Sequence, residues 1–352
     1  MKKTLLFAAL AVLVAVAPIA GQAQAPGSPK RAEPAKAGYT TPRTPWGDPD
    51  LQGTWPSTDM VGTPLQRASS FGARNVLTEE EFKARQAAAA RQTDEDNAEF
   101  DIDKVTSEQD ARGTVGGPVS PPPHWLERGK PSHQAALIVD PPDGRMPPQT
   151  PDAAERARSL AARRAGHGPA DSYDDRSLYD QCITRGVLGS ILPVIYNNGN
   201  QIIQAPGLVV LRNEMIHETR FFYLDNRPHV SSKIRSYMGD SRARWDGDTL
   251  VVETTNMFDR NGVGGNGGGQ AFSDALKITE RFTRVDAGTI EYSATVDDPK
   301  TYTRPFTLQF PWRRDTNYGM FEYACHEGNH SLFNILSGAR ADDREAAAAS
   351  RP

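Results

Sequence analysis

Hydrophobic and polar residues alternate along most of the chain after Asp171. This alternation predicts β-strands, because successive side chains of a strand point to opposite faces of the sheet. The pairs Asp246-Gly247 and Ala287-Gly288 lie between alternating runs and are typical of tight hairpin turns. The predicted strands are Gln201 to Ala205, Leu208 to Leu224 with one bend or break, Ser241 to Trp245, Thr249 to Asn256, Ala275 to Val285, Thr289 to Val296 and Thr303 to Trp312. Sequential hairpins without intervening helices indicate an antiparallel up-and-down sheet that closes or nearly closes into a barrel.

The chain before Asp171 shows helical patterns and proline-rich loops instead of strand alternation. A capping box of Thr78 and Glu81 predicts a helix that runs to about Arg91, and Thr150-Pro151 begins a second helix of Ala, Arg and Glu. The predicted fold is therefore mainly β. It is an antiparallel up-and-down, calycin-like β-barrel with an N-terminal helical and proline-rich wrap and a C-terminal helix from about Asn329 to Arg340.

The first residues show the three zones of a secretory signal peptide. Lys2 and Lys3 precede an apolar run from Leu5 to Ala17, and small residues follow, so that cleavage after Ala23 or after Ala25 fits. No later run approaches membrane-spanning length, and we therefore expect a periplasmic or secreted protein without a membrane anchor. The expected divisions are a signal peptide (1–25), a disordered tether (26–50), a helical and loop-rich wrap (51–169), a β-barrel domain (170–340) and a disordered tail (341–352).

Charge and cysteine content narrow the classes of partner and compartment. The formal net charge is −4, which gives no electrostatic reason to expect nucleic acid or an anionic membrane as a partner. The chain has two cysteines, Cys182 and Cys325. In an oxidising compartment they are expected to form a disulfide bond, although two buried free thiols are the alternative.

Two ionisable side chains fall in the inward register of the predicted strands. Glu280 shares its register with core residues, and a carboxylate that faces a core is unusual unless it is paired or functional. His217 and Asn213 share the inward register of the long strand from Leu208 to Leu224, while its outward register is Arg212, Glu214, Glu218 and Arg220. A bulge in that strand would exchange His217 for Glu214 or Ile216. The inward His and Glu are therefore either catalytic or a satisfied buried pair.

The same registers predict an aromatic interior. Tyr292, Phe306 and Trp312 point to the side that Glu280 faces. A mostly apolar lining with few polar groups is the usual composition of a small-molecule site. The sequence therefore predicts a pocket for a hydrophobic or aromatic molecule.

The segment from His326 to His330 matches the zinc-protease pattern H-E-x-x-H. That chemistry needs both histidines on one face of a helix, and Gly328-Asn329 in the middle disfavours a helix there. We therefore expect neither a metal nor another cofactor. A zinc hydrolase that uses His326, Glu327 and His330 is kept as an alternative.

Six blocks of the sequence carry a resemblance. They are Cys182-Ile183-Thr184-Arg185-Gly186, Ile195-Tyr196-Asn197-Asn198-Gly199, Glu214-Met215-Ile216-His217, Gly239-Asp240-Ser241-Arg242, Arg244-Trp245-Asp246-Gly247-Asp248-Thr249-Leu250-Val251-Val252-Glu253-Thr254 and Tyr323-Ala324-Cys325-His326-Glu327-Gly328-Asn329. Across about Trp46 to Arg340 the chain resembles a large family of exported bacterial proteins, mostly of unassigned function. It also resembles enzymes that open the ring ether of lignin-derived phenylcoumaran dimers without a cofactor.

That second resemblance implies a reaction but assigns no catalytic residue. The reaction needs one or two bases and a proton donor or cation for the departing phenoxide. The candidates are His217 and Glu280 as bases, Tyr196, Arg185 or His326 for the phenoxide, and Asn213, Asn197, Tyr292, Phe306 and Trp312 for substrate binding. Each also has a structural alternative, such as ion pairing, packing or helix capping. The competing function is a periplasmic barrel that binds a small molecule without catalysis.

Overall fold

A computed structural model describes residues 38–99, 125–264, 268–269 and 271–349. The expected signal peptide and the first part of the expected tether lie outside these residues. The described residues belong to one compact unit, Ala32–Pro352.

One ten-stranded sheet forms the body of the protein and curls into a half-barrel. Its strands are β1 (Gly53–Thr54), β2 (Ile138–Asp140), β3 (Asn200–Ala205), β4 (Leu208–Asn213), β5 (Thr219–Tyr223), β6 (Asp240–Asp246), β7 (Thr249–Thr255), β8 (Lys277–Asp286), β9 (Thr289–Asp297) and β10 (Phe306–Arg313). They are ordered β1-β3-β4-β5-β6-β7-β8-β9-β10-β2. The mainly β prediction is confirmed, and the strands from β3 onward start and end within a few residues of their predicted limits.

The strand pairing is antiparallel except at one point. β5 and β6 meet in parallel through Tyr223 and Arg242. The two edges, β1 and β2, do not pair with each other in the sheet order. Two backbone contacts of 3.4 Å join the end of β10 to the β1 segment, from Arg313 N to Pro56 O and from Asp315 N to Thr54 O.

A short turn divides the long predicted strand into β4 and β5. It contains a single 3-10 turn, Met215–His217, in which Ile216 and His217 have φ values of 53° and 42°. Inward side chains lie at Leu211 and Asn213 before the turn and at Arg220 and Phe222 after it. Because the alternation slips by one residue across the turn, the predicted faces are correct for β4 and wrong for β5.

The longer helices have the predicted starts. α1 (Glu79–Glu99) follows the capping box, in which Thr78 N donates to Glu81 Oε2 at 2.8 Å. α2 (Pro151–Arg163) has Thr150 as its N-cap, and a one-turn helix, α3 (Gly186–Gly189), follows Arg185. α4 (His330–Ala349) continues nine residues beyond the expected end at Arg340. Residues 341–349 are thus helical, where a disordered tail was expected.

Two other features concern segments outside the sheet. Thr41 and Thr44, in the segment expected to be a tether, are buried. Cys182 and Cys325 form a disulfide bond with their Cα atoms 5.6 Å apart, which confirms the predicted pair. None of the helices in the described part of the chain is long and apolar enough to cross a membrane.

Candidate active site

The aromatic interior is a packed core and does not form the predicted cavity. Tyr292, Phe306 and Trp312 are fully buried. Tyr292 and Trp312 stack with ring centroids 5.0 Å apart, and Phe282 lies 5.5 Å from Trp312. These rings fill the space that the sequence assigned to a ligand, so their placement as substrate-binding residues is wrong.

Glu280 faces this interior, as predicted, but its partner is Arg220. The Arg220 guanidinium contacts both carboxylate oxygens, with Nη1 to Oε1 at 3.0 Å and Nη2 to Oε2 at 2.5 Å. Tyr292 donates its hydroxyl proton to Oε1 at 3.1 Å. The placement of Arg220 on a solvated face is wrong, because the turn after β4 brings it inward. Glu280 thus has the geometry of a satisfied structural pair.

His217 does not share a cavity with Glu280. It is exposed, and its Nδ1 lies 2.9 Å from the carbonyl oxygen of Tyr323. Because a carbonyl only accepts, this contact places the proton on Nδ1 and leaves Nε2 of the neutral ring without a proton. The interior placement is wrong, yet the ring is oriented as a base at the surface.

Three tyrosines converge beside the disulfide bond. The Tyr179 hydroxyl lies 2.6 Å from that of Tyr196 and 3.1 Å from that of Tyr323. The guanidinium carbon of Arg185 lies 4.9 Å from the centroid of the Tyr179 ring. We call these four residues the tyrosine cluster. The tyrosines are half-buried, and Arg185 is 2% exposed.

Burial controls the protonation of the tyrosine cluster. It raises the pKa of Tyr179 to about 12, and burial together with the hydrogen bond to Tyr179 raises the pKa of Tyr196 to about 12. Burial likewise raises the pKa of Tyr323. It lowers the pKa of Arg185, although a guanidinium remains charged in proteins. At neutral pH the cluster therefore offers neutral hydroxyl donors beside one cation.

Hydrogen-bond counting shows what this cluster offers a ligand. The three hydroxyls have three protons, and the contacts of 2.6 and 3.1 Å use two of them. The Tyr196 and Tyr323 hydroxyls at the ends of this chain also interact with each other. A ligand oxygen that approaches one of these ends can accept the third proton in place of that interaction. An oxygen acceptor, especially an anionic one, is the complementary ligand because Arg185 adds positive charge.

The disulfide bond explains why remote segments meet here. Tyr179 lies three residues before Cys182, and Tyr323 lies two residues before Cys325. The bond between the cysteines therefore brings both tyrosines to one place. Tyr179 and Tyr323 are the functional candidates that the sequence analysis missed, although the predicted disulfide was a signal that could have indicated them.

The remaining candidates have different positions. Asn213 is buried and donates Nδ2–H to Asn200 Oδ1 at 2.6 Å, inside the sheet. Asn197 follows Tyr196 with φ of 56°, and its backbone N–H donates to Glu127 at 2.8 Å. His326 is exposed and directly follows Cys325. Asn197 and His326 thus adjoin segments of the tyrosine cluster, while Asn213 belongs to the sheet interior.

The segment that matches H-E-x-x-H is not helical as a unit. α4 begins at His330, so His326 lies outside the helix and the two histidines do not share a helical face. The arrangement that zinc proteases require is absent at these residues.

Glu218 is a second ionisable group near the cluster. Burial raises the pKa of its carboxyl, while hydrogen bonding to Thr184 and the nearby charge of Arg220 act in the opposite direction. Thr184 directly precedes Arg185, and Glu218 directly follows His217. This side chain is therefore a further candidate for proton transfer.

Two pockets differ from the predicted aromatic cavity. One lies next to Gly186 and has a volume of about 10 Å³, which is room for at most one water molecule. The other is an open hollow of about 340 Å³ with an ionic lining of Asp152, Glu155, Arg156, Asp259, Ser273, Asp274 and Lys300. The first is too small for an aromatic molecule, and the second lacks the mostly apolar lining of such a site.

Comparison of the chain with known protein families and with curated proteins gives no match.

Proposed function

We propose that the protein is an exported, cofactor-independent lyase or isomerase that acts on a hydrophobic aromatic small molecule at the tyrosine cluster. The observation that carries this proposal is the convergence of three tyrosine hydroxyls, 2.6 and 3.1 Å apart, beside the Arg185 guanidinium. Preorganised donors and a cation of this kind stabilise oxygen anions as they form. Opening an aryl ether ring produces such an anion.

The proposed reaction is internally balanced. A base removes the phenolic proton para to the benzylic ether, the benzylic C–O bond breaks with its electron pair leaving on the aryl oxide, and a quinone methide forms. Loss of a second proton, from the carbon next to the benzylic carbon, restores the aromatic ring as a phenolate within a stilbene. The phenolate and the aryl oxide then take up the two protons that the bases removed. The product is thus an isomer of the substrate. No oxidant, reductant or added water is consumed.

In this proposal His217 and the tyrosines have different roles. His217 has Nε2 available as a base because Nδ1–H donates to the Tyr323 carbonyl. A tyrosine with a pKa near 12 is a weak acid, so Tyr179 and Tyr196 keep their protons. Tyr196, at one end of the chain of hydroxyls, donates a hydrogen bond to the aryl oxide, and Tyr179 orients the Tyr196 hydroxyl. Arg185 stabilises the same negative charge.

The proposal also covers the location, the barrel and the family of the protein. The disulfide bond supports a periplasmic or secreted location, since such bonds persist in oxidising compartments. The two contacts between β10 and the β1 segment support closure of the half-barrel into a calycin-like barrel. The membership in a family of exported bacterial proteins rests on the sequence blocks alone.

The experiment is to incubate the purified protein with a panel of phenolic dimers and to follow the products by mass spectrometry. The lyase or isomerase proposal predicts an isomer of unchanged mass. A binding protein without catalysis would return the ligand unchanged and retain it tightly. A zinc hydrolase would add one water and lose activity with a chelator. Either of the last two results would contradict the proposal.

A further inference from the structure

Glu127, Glu214 and Tyr318 form a second polar group, which we call the carboxylate clasp. The Tyr318 hydroxyl lies 2.7 Å from Oε1 of Glu127 and 2.6 Å from Oε2 of Glu214. Burial and the two neighbouring carboxylates raise the pKa of Tyr318, so its hydroxyl remains protonated. We infer that the carboxylate clasp is a positioning device that sets the distance between Tyr196 and Tyr323 in the tyrosine cluster.

The Glu127 side of the clasp holds the segment that carries Tyr196. Its Oε1 accepts the backbone N–H of Asn197 at 2.8 Å. Its Oε2 accepts the backbone N–H of Asn198 at 3.2 Å and the side-chain amide of Asn198 at 2.9 Å. The backbone N–H of Glu127 in turn donates to Ile195 O at 2.8 Å. Residues on both sides of Tyr196 are thus fixed to one side chain and its backbone.

The Glu214 side holds the segment that carries Tyr323. Oε1 of Glu214 accepts the backbone N–H of Phe321 at 2.9 Å, two residues before Tyr323. Glu214 is 1% exposed, and a carboxyl group so deeply buried needs such hydrogen-bond donors. A Cβ atom on Gly199 would lie 2.7 Å from both Glu214 Oε2 and Tyr318 Cε1, so the close approach requires glycine there.

Tyr318 therefore joins the two halves of the clasp. Without its hydroxyl, no donor would lie between the Glu127 and Glu214 carboxyl groups, and the contacts that join the two halves of the clasp would be lost. The disulfide bond fixes Tyr323 to the segment of Tyr179, but it places no constraint on Tyr196. The hydrogen bond with Tyr179 holds only the end of the Tyr196 side chain, whereas the clasp holds the backbone next to Tyr196. Its catalytic meaning rests on the proposed function, whereas its effect on the geometry does not.

The test uses the full chain labelled with ¹³Cζ-tyrosine and follows the alkaline titration of single tyrosines by NMR. Tyr318→Phe should release the Tyr196 segment from the Tyr323 segment, so that the Tyr196 hydroxyl becomes more exposed and its pKa falls from about 12 toward the ordinary 10.0. Tyr292→Phe is the matched control, since it also removes a buried hydroxyl that donates to a carboxylate. It should leave the titration of Tyr196 unchanged even if the protein is destabilised. Glu127→Gln provides a second variant and should act in the same direction as Tyr318→Phe.

A Tyr196 titration that is the same in Tyr318→Phe, Glu127→Gln and the parent protein would overturn the inference. If Tyr318→Phe unfolds and Glu127→Gln does not, the Tyr196 titration in Glu127→Gln decides. Turnover of phenolic dimers is measured separately. If the Tyr196 titration shifts in the variants but the parent protein has no turnover, the clasp is supported and the proposed function is rejected. If the parent protein has turnover but the titration does not shift in the variants, the proposed function is supported and the clasp is rejected.

Discussion

Replacement of Glu280 by glutamine should destabilise the protein rather than remove its chemistry. The Glu280 and Arg220 side chains are 0% and 2% exposed. The new amide could still accept from Tyr292 and from one guanidinium nitrogen, but its NH₂ group would face the other nitrogen, which can only donate. Removal of one charge from a buried pair leaves the other uncompensated and costs about 3 to 5 kcal/mol.

The assay is chemical denaturation followed by tryptophan fluorescence, together with turnover at matched folded fractions. Glu155→Gln is the control, because the Glu155–Arg158 pair has 66% and 69% exposed side chains. An exposed pair contributes about 0 to 1 kcal/mol, so this control should change little. An apolar double variant, Arg220→Met with Glu280→Met, should recover much of the loss.

One pattern of results would refute this reasoning. If Glu280→Gln retained the unfolding free energy of the parent within about 1 kcal/mol and lost turnover by about two to four orders of magnitude, Glu280 would be a catalytic base. The structural assignment of the Arg220–Glu280 pair would then be wrong. Residual activity that follows the folded fraction is the expected outcome.

Three further predictions concern the disulfide, the tyrosines and metal. Cys182 and Cys325 should resist alkylation in the unreduced, unfolded protein, and quantitative labelling of the two cysteines would disprove the bond. Loss of the bond should lower the free energy of unfolding by about 4 to 5 kcal/mol, as expected for a long loop. Because Tyr179 and Tyr196 have folded pKa values of about 12 against 10.0, their contribution to stability should be present below pH 10 and be lost between about pH 10 and 12. Denaturation midpoints measured across that range test this sign, and no decline would contradict it. Since α4 begins only at His330, chelator treatment should leave activity intact, and one zinc ion per purified chain would be the opposite result.

Strand alternation predicted the inward position of Glu280 but failed for its partner. Arg220 was assigned outward because one register was applied from residue 208 to residue 224, although a bend or bulge was expected within that segment. The structure has a 3-10 turn there, with Ile216 at φ of 53°. A β-branched residue is rarely found in this conformation, so nothing in the local sequence indicated it. An inserted residue of this kind reverses the inward or outward direction of every side chain that follows it in the strand.

The tyrosine cluster was only partly predictable for a different reason. Tyr196 and Arg185 were candidates because the implied reaction needs a proton donor or cation for the phenoxide, but Tyr179 and Tyr323 lie in irregular segments without hydrophobic periodicity. Pattern analysis gives no orientation for such residues. The aromatic core was mistaken for a pocket because alternation gives the direction of a side chain and not the space in front of it.

The most direct test of the proposed function is the turnover of a phenolic dimer by Tyr179→Phe. This change removes the central hydroxyl of the tyrosine cluster and both of its contacts. The hydroxyl that donates to the ligand would then lose the partner that orients it, and loss of this preorganisation should lower kcat by about 100-fold to 1,000-fold with little change in melting temperature. Tyr173→Phe, at a tyrosine that is 57% exposed, is the control and should retain full turnover. Equal turnover by Tyr179→Phe and the parent protein would contradict the assignment of catalysis to this cluster.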